Sequence, residues 1–198
     1  MKTRFLIITV LMLAFSGNIF SQEKKDADSK RMKPALLVID IQNAFLPMVE
    51  EREKGIAFYM TNNMIDLFRK EGYPVIVIAH SDPENGPARD SEGFKFAPEI
   101  KILPSDPMVV KHHASGFKDT DLGKILKEQN INTVFITGLS AVGCALATYI
   151  EAGDLGYNRF FIKYSLMSHS TEYTRDIEDI FSALDYDTVK VMLENAMK

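Results

Sequence analysis

"TVFITGLSAVGCALATYIEAGDLGY", residues 133–157, joins a β-rich run to a helical one through a turn of small residues. Thr133 to Thr137 is apolar and β-branched, as a strand buried on both faces must be. Cys144 to Asp154 reads as a helix that ends near Gly156. A strand feeding directly into a helix is half of a βαβ unit. The rest of the chain is then expected to hold the other halves.

Upstream lie "ALLVID" (Ala35 to Asp40), "PVIVIAH" (Pro74 to His80) and "PMVVK" (Pro107 to Lys111). Downstream lie "RFFIK" (Arg159 to Lys163) and "TVKVML" (Thr188 to Leu193). Helical stretches alternate with them: Glu53 to Lys70, closed by Gly72 and Pro74; Thr120 to Gln129, with Thr120 as the cap; and Thr174 to Leu184. The expected fold is three-layer α/β/α with a six-stranded, mainly parallel sheet. Ser81 to Ile100 is the one long interruption, rich in Pro, Gly and Asp, and reads as an ordered surface loop near the strand ends. The helix face bearing Met60, Met64, Leu67 and Phe68 is expected to be core.

The first 21 residues read as an export signal: basic at Lys2 and Arg4, apolar from Phe5 to Phe15, then small residues near Ser21. The apolar run is too short to span a bilayer. The charged stretch over residues 22–33 is expected to be a disordered lead-in, and residues 34–198 a single domain. On this reading the mature protein is expected outside the cytoplasm, periplasmic or secreted, and off the membrane once the signal is cleaved; the alternative is a leader retained as an N-terminal membrane anchor. The formal charge is −4 and becomes −6 without Lys2 and Arg4. That balance, with no basic patch interleaved with aromatics, argues against nucleic acid as a partner. Neither a GxGxxG nor a P-loop motif is present, so no nucleotide cofactor is expected.

The chain holds one cysteine, Cys144. An exported chain with a single cysteine forms no internal disulfide, so this thiol is paired between chains, inert, or kept because it reacts. In parallel α/β sheets the ligand crevice lies beyond the carboxyl ends of the strands. Asp40 ends the first strand, Lys111 the third, and Cys144 opens the helix after the fourth. A helix N-terminus and a nearby cation lower a thiol pKa, and Lys111 supplies the cation. Asp40 is placed to take the thiol proton and pass it to a leaving group. The backbone N–H groups of "GLSAVGC" are placed to hold an oxyanion. The bland alternatives are a buried apolar cysteine, a capping aspartate and a solvated lysine.

Three stretches, "LLVIDIQNAFL" (Leu36 to Leu46), "VVKHHASGF" (Val109 to Phe117) and "TGLSAVGCALATYIEAGDLGY" (Thr137 to Tyr157), together resemble the isochorismatase-like cysteine hydrolases, which include the nicotinamidases. "GFKFAPEI" (Gly93 to Ile100) resembles a further stretch of many members. The resemblance implies the Rossmann-like fold of those hydrolases, a Cys144–Asp40–Lys111 triad, a cis peptide at Leu139–Ser140, and an oxyanion hole from the N–H groups of Ser140 and Cys144. It implies a small-molecule substrate, most plausibly an amide, and a homo-oligomer. Phe45 and Phe117 are candidate pocket walls, with ordinary core as their alternative. Gln42 and His113 are candidate substrate contacts, with backbone satisfaction and plain exposure as their alternatives. Nicotinamidases carry metal-binding Asp and His residues after the second strand. Here that region reads "AHSDPENGPARD", His80 stands alone and His112 and His113 follow the lysine, so no metal is expected.

Two other readings compete. Ser140 in "GLSAVG" approaches a nucleophile elbow, but the second glycine is one residue late and only His169 follows. Alternatively, the fold binds a small molecule or partner without turnover, with Cys144 as a redox-sensitive thiol.

Overall fold

The computed structural model describes residues 31–82, 84 and 86–196. The expected leader, and the lead-in up to residue 30, lie outside the described residues. The chain divides into Met1–Met32 and Lys33–Lys198, and the second unit carries the fold.

Its elements alternate: β1 (Pro34–Ile39), a 3-10 turn (Leu46–Met48), α1 (Glu51–Lys70), β2 (Val75–His80), β3 (Met108–Lys111), α2 (Leu122–Glu128), β4 (Thr133–Leu139), α3 (Cys144–Asp154), β5 (Asn158–Met167), α4 (Thr171–Ile180) and α5 (Tyr186–Ala196). The sheet order is β3-β2-β1-β4-β5, with every pairing parallel. The chain builds outward from β1 through β2 to β3, then returns to the other side of β1 for β4 and β5. That reversal puts the topological switch between β1 and β4, where such sheets open a crevice at the strand C-termini.

The central strands are apolar because both faces are covered. All six residues of β1 and all seven of β4 are buried. On one side Leu37, Ile39, Ile76 and Ile136 pack with Leu122, Leu126 and Ala145. On the other, Phe68 of α1 meets Phe135 edge-on at 5.4 Å, and Phe135 meets Phe160 at 5.3 Å. Met64, Leu67 and Phe68 are buried, so that helix face is core.

Among the described residues the sheet has five strands, not the expected six. "TVKVML" lies inside α5. A strand would place Val189, Val191 and Leu193 on one face, yet Val191 is 58% exposed. The buried residues are Val189, Leu193 and Ala196, spaced as one face of a helix. Where a sixth strand would stand there is a single parallel bridge, Ile162 to Leu184. Lys163 N–H donates to the Leu184 carbonyl, and Leu184 N–H to that of Phe161, each at 2.8 Å. The preceding helix therefore ends at Ile180 rather than Leu184. Thr120 does serve the start of α2: its hydroxyl accepts from Leu122 N–H at 3.2 Å.

The long interruption folds back on the end of β1. Asn43 and Ala44 N–H donate to the carbonyls of Lys95 and Gly93, and Ala97 N–H donates to Ile41. Ala97 and Ile100 are buried, so the segment is a pinned cover over the strand ends.

Strand β5 runs past its expected end at Lys163 to Met167, with Tyr164 at φ 65°. Tyr164 N–H donates to Glu178 Oε1 at 2.6 Å. Burial pushes Glu178 up to about 7 from 4.5. An acid with a raised folded pKa keeps its proton in the fold after the unfolded chain has released it. Stability is thus fully present below pH 4.5, falls as pH rises through about 7, and stays low above that. Glu178→Gln keeps an acceptor for Tyr164 and removes the ionisation. It is expected to stabilise the fold at pH 8 by roughly 1–2 kcal/mol, screening by water included, with no gain at pH 4. Urea unfolding of both proteins at the two pH values measures this.

Candidate active site

At the switch point the last residue of β4 to pair with the end of β1 is Gly138, opposite Ile39. Its φ is +110°, and a Cβ there would lie 2.0 Å from the Ile39 carbonyl oxygen. Only glycine permits this approach. The chain then passes through Leu139–Ser140, whose peptide bond is cis, and turns into α3 with Cys144 as its first residue. The turn is tied down by Ala141 N–H to the Met167 carbonyl at 2.7 Å and by Gly143 N–H to Ser140 O at 2.9 Å. Among the described residues, no backbone carbonyl accepts from the N–H groups of Ser140 or Cys144.

Asp40 follows β1 with φ 50°, a left-handed conformation that aspartate tolerates better than most residues. Its N–H donates to the Ile78 carbonyl at 2.9 Å, which fixes the side chain at the crevice. Lys111 ends β3, two strands away from β1 in the sheet. Lys111 Nζ meets Asp40 Oδ2 at 2.7 Å, with both side chains buried. The ammonium also touches His80 Nδ1 and the His113 carbonyl, each at 3.3 Å. Among the described residues, buried Asp40 Oδ1 has no hydrogen-bond partner within bonding geometry. The Cys144 thiol, half-buried, interacts with both the carboxylate and the ammonium. Three residues that are 71 and 33 positions apart in sequence thus share one cluster.

The electrostatics differ from the sequence expectation. Burial raises the Asp40 carboxyl above its ordinary range, although Lys111 draws it down. Burial and the Asp40 charge push the Cys144 thiol up to about 11, and Lys111 offsets only part of that. Cys144 is therefore a resting thiol at neutral pH, not a standing thiolate. Desolvation outweighs the single cation because it acts on the charged form of both groups at once. Burial and Lys111 also lower the His80 pKa. His80 is thus held neutral, with Nδ1 free to accept from the ammonium.

The other expected site residues fall in different places. Gln42 is fully buried, and its amide is taken by backbone: Nε2 donates to His80 O at 3.0 Å and Phe94 O at 2.9 Å, while Oε1 accepts from His80 N–H at 2.8 Å. It clamps the covering segment to the end of β2. Phe45 is half-buried, with its ring 6.0 Å from that of His80. Phe117 is buried in the core, stacked on Tyr157 at 5.7 Å. His113 is half-exposed, and its Nε2 lies 3.2 Å from Asp119 Oδ2. Its carbonyl, not its ring, reaches Lys111. His169 packs edge-on against Tyr173.

Two contributors carry no sequence signal of the role they take. Thr148, one turn into α3, donates to the Cys144 carbonyl at 2.7 Å and accepts from Gly116 N–H at 2.9 Å. It joins the cysteine helix to the loop behind Lys111. In the sequence His80 stands out as the end of β2 and as a lone histidine; its contact with Lys111 depends on the β2–β3 pairing of His80 with Lys111.

The residues after β2 do not fit a metal. His80 Nδ1 faces an ammonium, His112 Nδ1 is held by the Ser81 carbonyl, and Asp82 Oδ1 accepts from Glu84 N–H at 2.9 Å. Among the described residues, no three His, Cys, Asp or Glu side chains converge.

The fold has counterparts among known proteins. Residues 34–179 match the Isochorismatase domain. The uncharacterized isochorismatase family protein YrdC of Bacillus subtilis strain 168 is 32% identical over 133 residues, 66% of this chain and 71% of that protein. An isochorismatase-like hydrolase from Alkaliphilus metalliredigens shares the fold at TM-score 0.71 and 24% identity, covering 80% of this chain and 98% of that one. N-carbamoylsarcosine amidase from Thermoplasma acidophilum superposes at TM-score 0.68 and 26% identity, covering 78% and 95%. With the domain match spanning most of the described residues, the chain belongs to the isochorismatase family of hydrolases.

Proposed function

We propose that the protein hydrolyses the C–N bond of a small-molecule amide through a thioester on Cys144. The observation that supports this most directly is the buried Asp40–Lys111 pair lying against the Cys144 thiol at the topological switch point. The likeness to a protein named as an amidase points the same way.

In this reading the Cys144 thiol gives its proton to Asp40 as sulfur attacks the amide carbon. Proton transfer is concerted with attack because the resting thiol does not ionise on its own. The carbonyl oxygen becomes an oxyanion, received by the N–H groups of Ser140 and Cys144. Asp40 then passes its proton to the amine nitrogen, the C–N bond breaks, and a thioester remains. Water attacks the thioester, giving its proton to Asp40. The C–S bond breaks, the acid leaves, and the proton returns to sulfur. Lys111 keeps Asp40 available as an anion and steadies the sulfur as negative charge passes onto it.

A raised thiol pKa also weighs against the alternative of a redox-sensing thiol, since oxidants react with the thiolate.

The test is a panel of small amides scored for ammonia or amine release, followed by acid quench and intact mass of the protein. An acyl adduct is expected on the wild type and none on Cys144→Ala. Turnover retained in Cys144→Ala removes the covalent mechanism. We read the leader as sending this activity outside the cytoplasm; N-terminal sequencing of protein recovered from fractionated cells, beginning near Gln22, supports that.

A further inference from the structure

A cavity of about 270 Å³ lies between the start of α1, the end of β5 and α4, and none of the active-site cluster lines it. Two carboxylates form its floor. Glu53 is 8% exposed, and its Oε1 is buried with no hydrogen-bond partner. Glu178 is 4% exposed and spends one oxygen on Tyr164 N–H. Thr171 Oγ1 donates to the other Glu53 oxygen at 3.1 Å. Ile56 and Leu166 give it an apolar wall. The rim is exposed and carries both signs: Glu50, Arg52 and Arg175. Neither arginine makes an ion pair among the described residues.

A buried carboxylate oxygen without a donor is costly unless something supplies one. Among the described residues Glu53 Oε1 is such an oxygen, and Glu178 lines the same cavity, its pKa raised first by burial and in smaller part by the Glu53 charge, so the two together ask for positive charge. Among the described residues no lysine or arginine forms an ion pair with Glu53 or Glu178, and Lys163 offsets only part of the rise in the Glu178 pKa. The rim complements a different pattern, since guanidinium groups pair with a carboxylate and Glu50 with an ammonium. We propose that this cavity is a binding site for a small amino acid with a basic side chain, the side-chain cation on Glu53 and Glu178 and the α-carboxylate on Arg52 and Arg175. The site is separate from the Cys144 cluster and does not depend on the amidase reading.

Isothermal titration calorimetry on the whole protein tests it, with L-arginine, L-lysine, agmatine and L-citrulline as probes. Agmatine keeps the guanidinium and lacks the carboxylate; citrulline has the reverse. Arginine or lysine is expected to bind, agmatine more weakly, and citrulline not at all. Glu53→Gln is expected to weaken the amino acid about tenfold or more, with Glu178→Gln as a second variant should the first not fold. Arg175→Ala is expected to weaken the amino acid and leave agmatine unchanged. No heat from any probe overturns the proposal. So does citrulline binding as well as arginine, or binding that a folded Glu53→Gln or Glu178→Gln protein leaves intact.

Discussion

Asp40→Asn is expected to move two readouts in opposite directions. Turnover of any amide found by the screen should fall by roughly 10²–10⁴-fold, the range that a positioned general base contributes. Alkylation of Cys144 by iodoacetamide near pH 7.5 should become faster. The carboxylate raises the thiol pKa, second only to burial, and the Lys111 ammonium that lowers it stays in place. Asparagine tolerates the φ of 50° that the position requires, so the backbone should hold. A variant that merely damaged the fold would lose activity too, but it would also show a lower unfolding midpoint. Alkylation that slows in a folded Asp40→Asn protein would contradict the assignment of Asp40 as the group that keeps the thiol protonated.

Lys111→Met is expected to cost about 3–5 kcal/mol of stability, because it leaves the Asp40 charge buried without its partner. The loss should depend on pH. Asp40 already has a raised pKa in the fold, and without the ammonium it rises further. A carboxyl with a raised folded pKa destabilises progressively as pH climbs from its unfolded value, near 3.8, through its folded value. The deficit should therefore be larger at pH 8 than at pH 5, where the carboxyl can neutralise. Urea unfolding at both values measures it, and a variant as stable as wild type at pH 8 would show that the pair does not hold the crevice together. Alkylation of Cys144 in this variant should be slower than in wild type, the reverse of Asp40→Asn.

Strand β1 was legible because burial on both faces demands an unbroken apolar run, and "ALLVID" offers one. The start of α3 was legible because small residues end β4 and a helical run follows. "TVKVML" misled because alternating apolar residues satisfy a strand's period and also leave two of them on one face of a helix. What decided between them was the neighbourhood. The edge beside β5 is occupied by Leu184, and α5 packs against α1 and β5. No local pattern contains that information.

The sequence by itself determined the alternation of strands and helices, the lone thiol at a helix start, and which acidic and basic residues end strands. Those are local properties, written in composition and period. The tertiary structure alone decided the rest. The strand order β3-β2-β1-β4-β5 brings Lys111 across β2 to Asp40. Burial then turns the thiol from an expected thiolate into a resting acid. Gly138 is required because β1 and β4 meet closely enough to exclude a Cβ. Desolvation, pairing distance and close approach arise only when distant segments meet, so they are settled by packing and not by the order of residues along the chain.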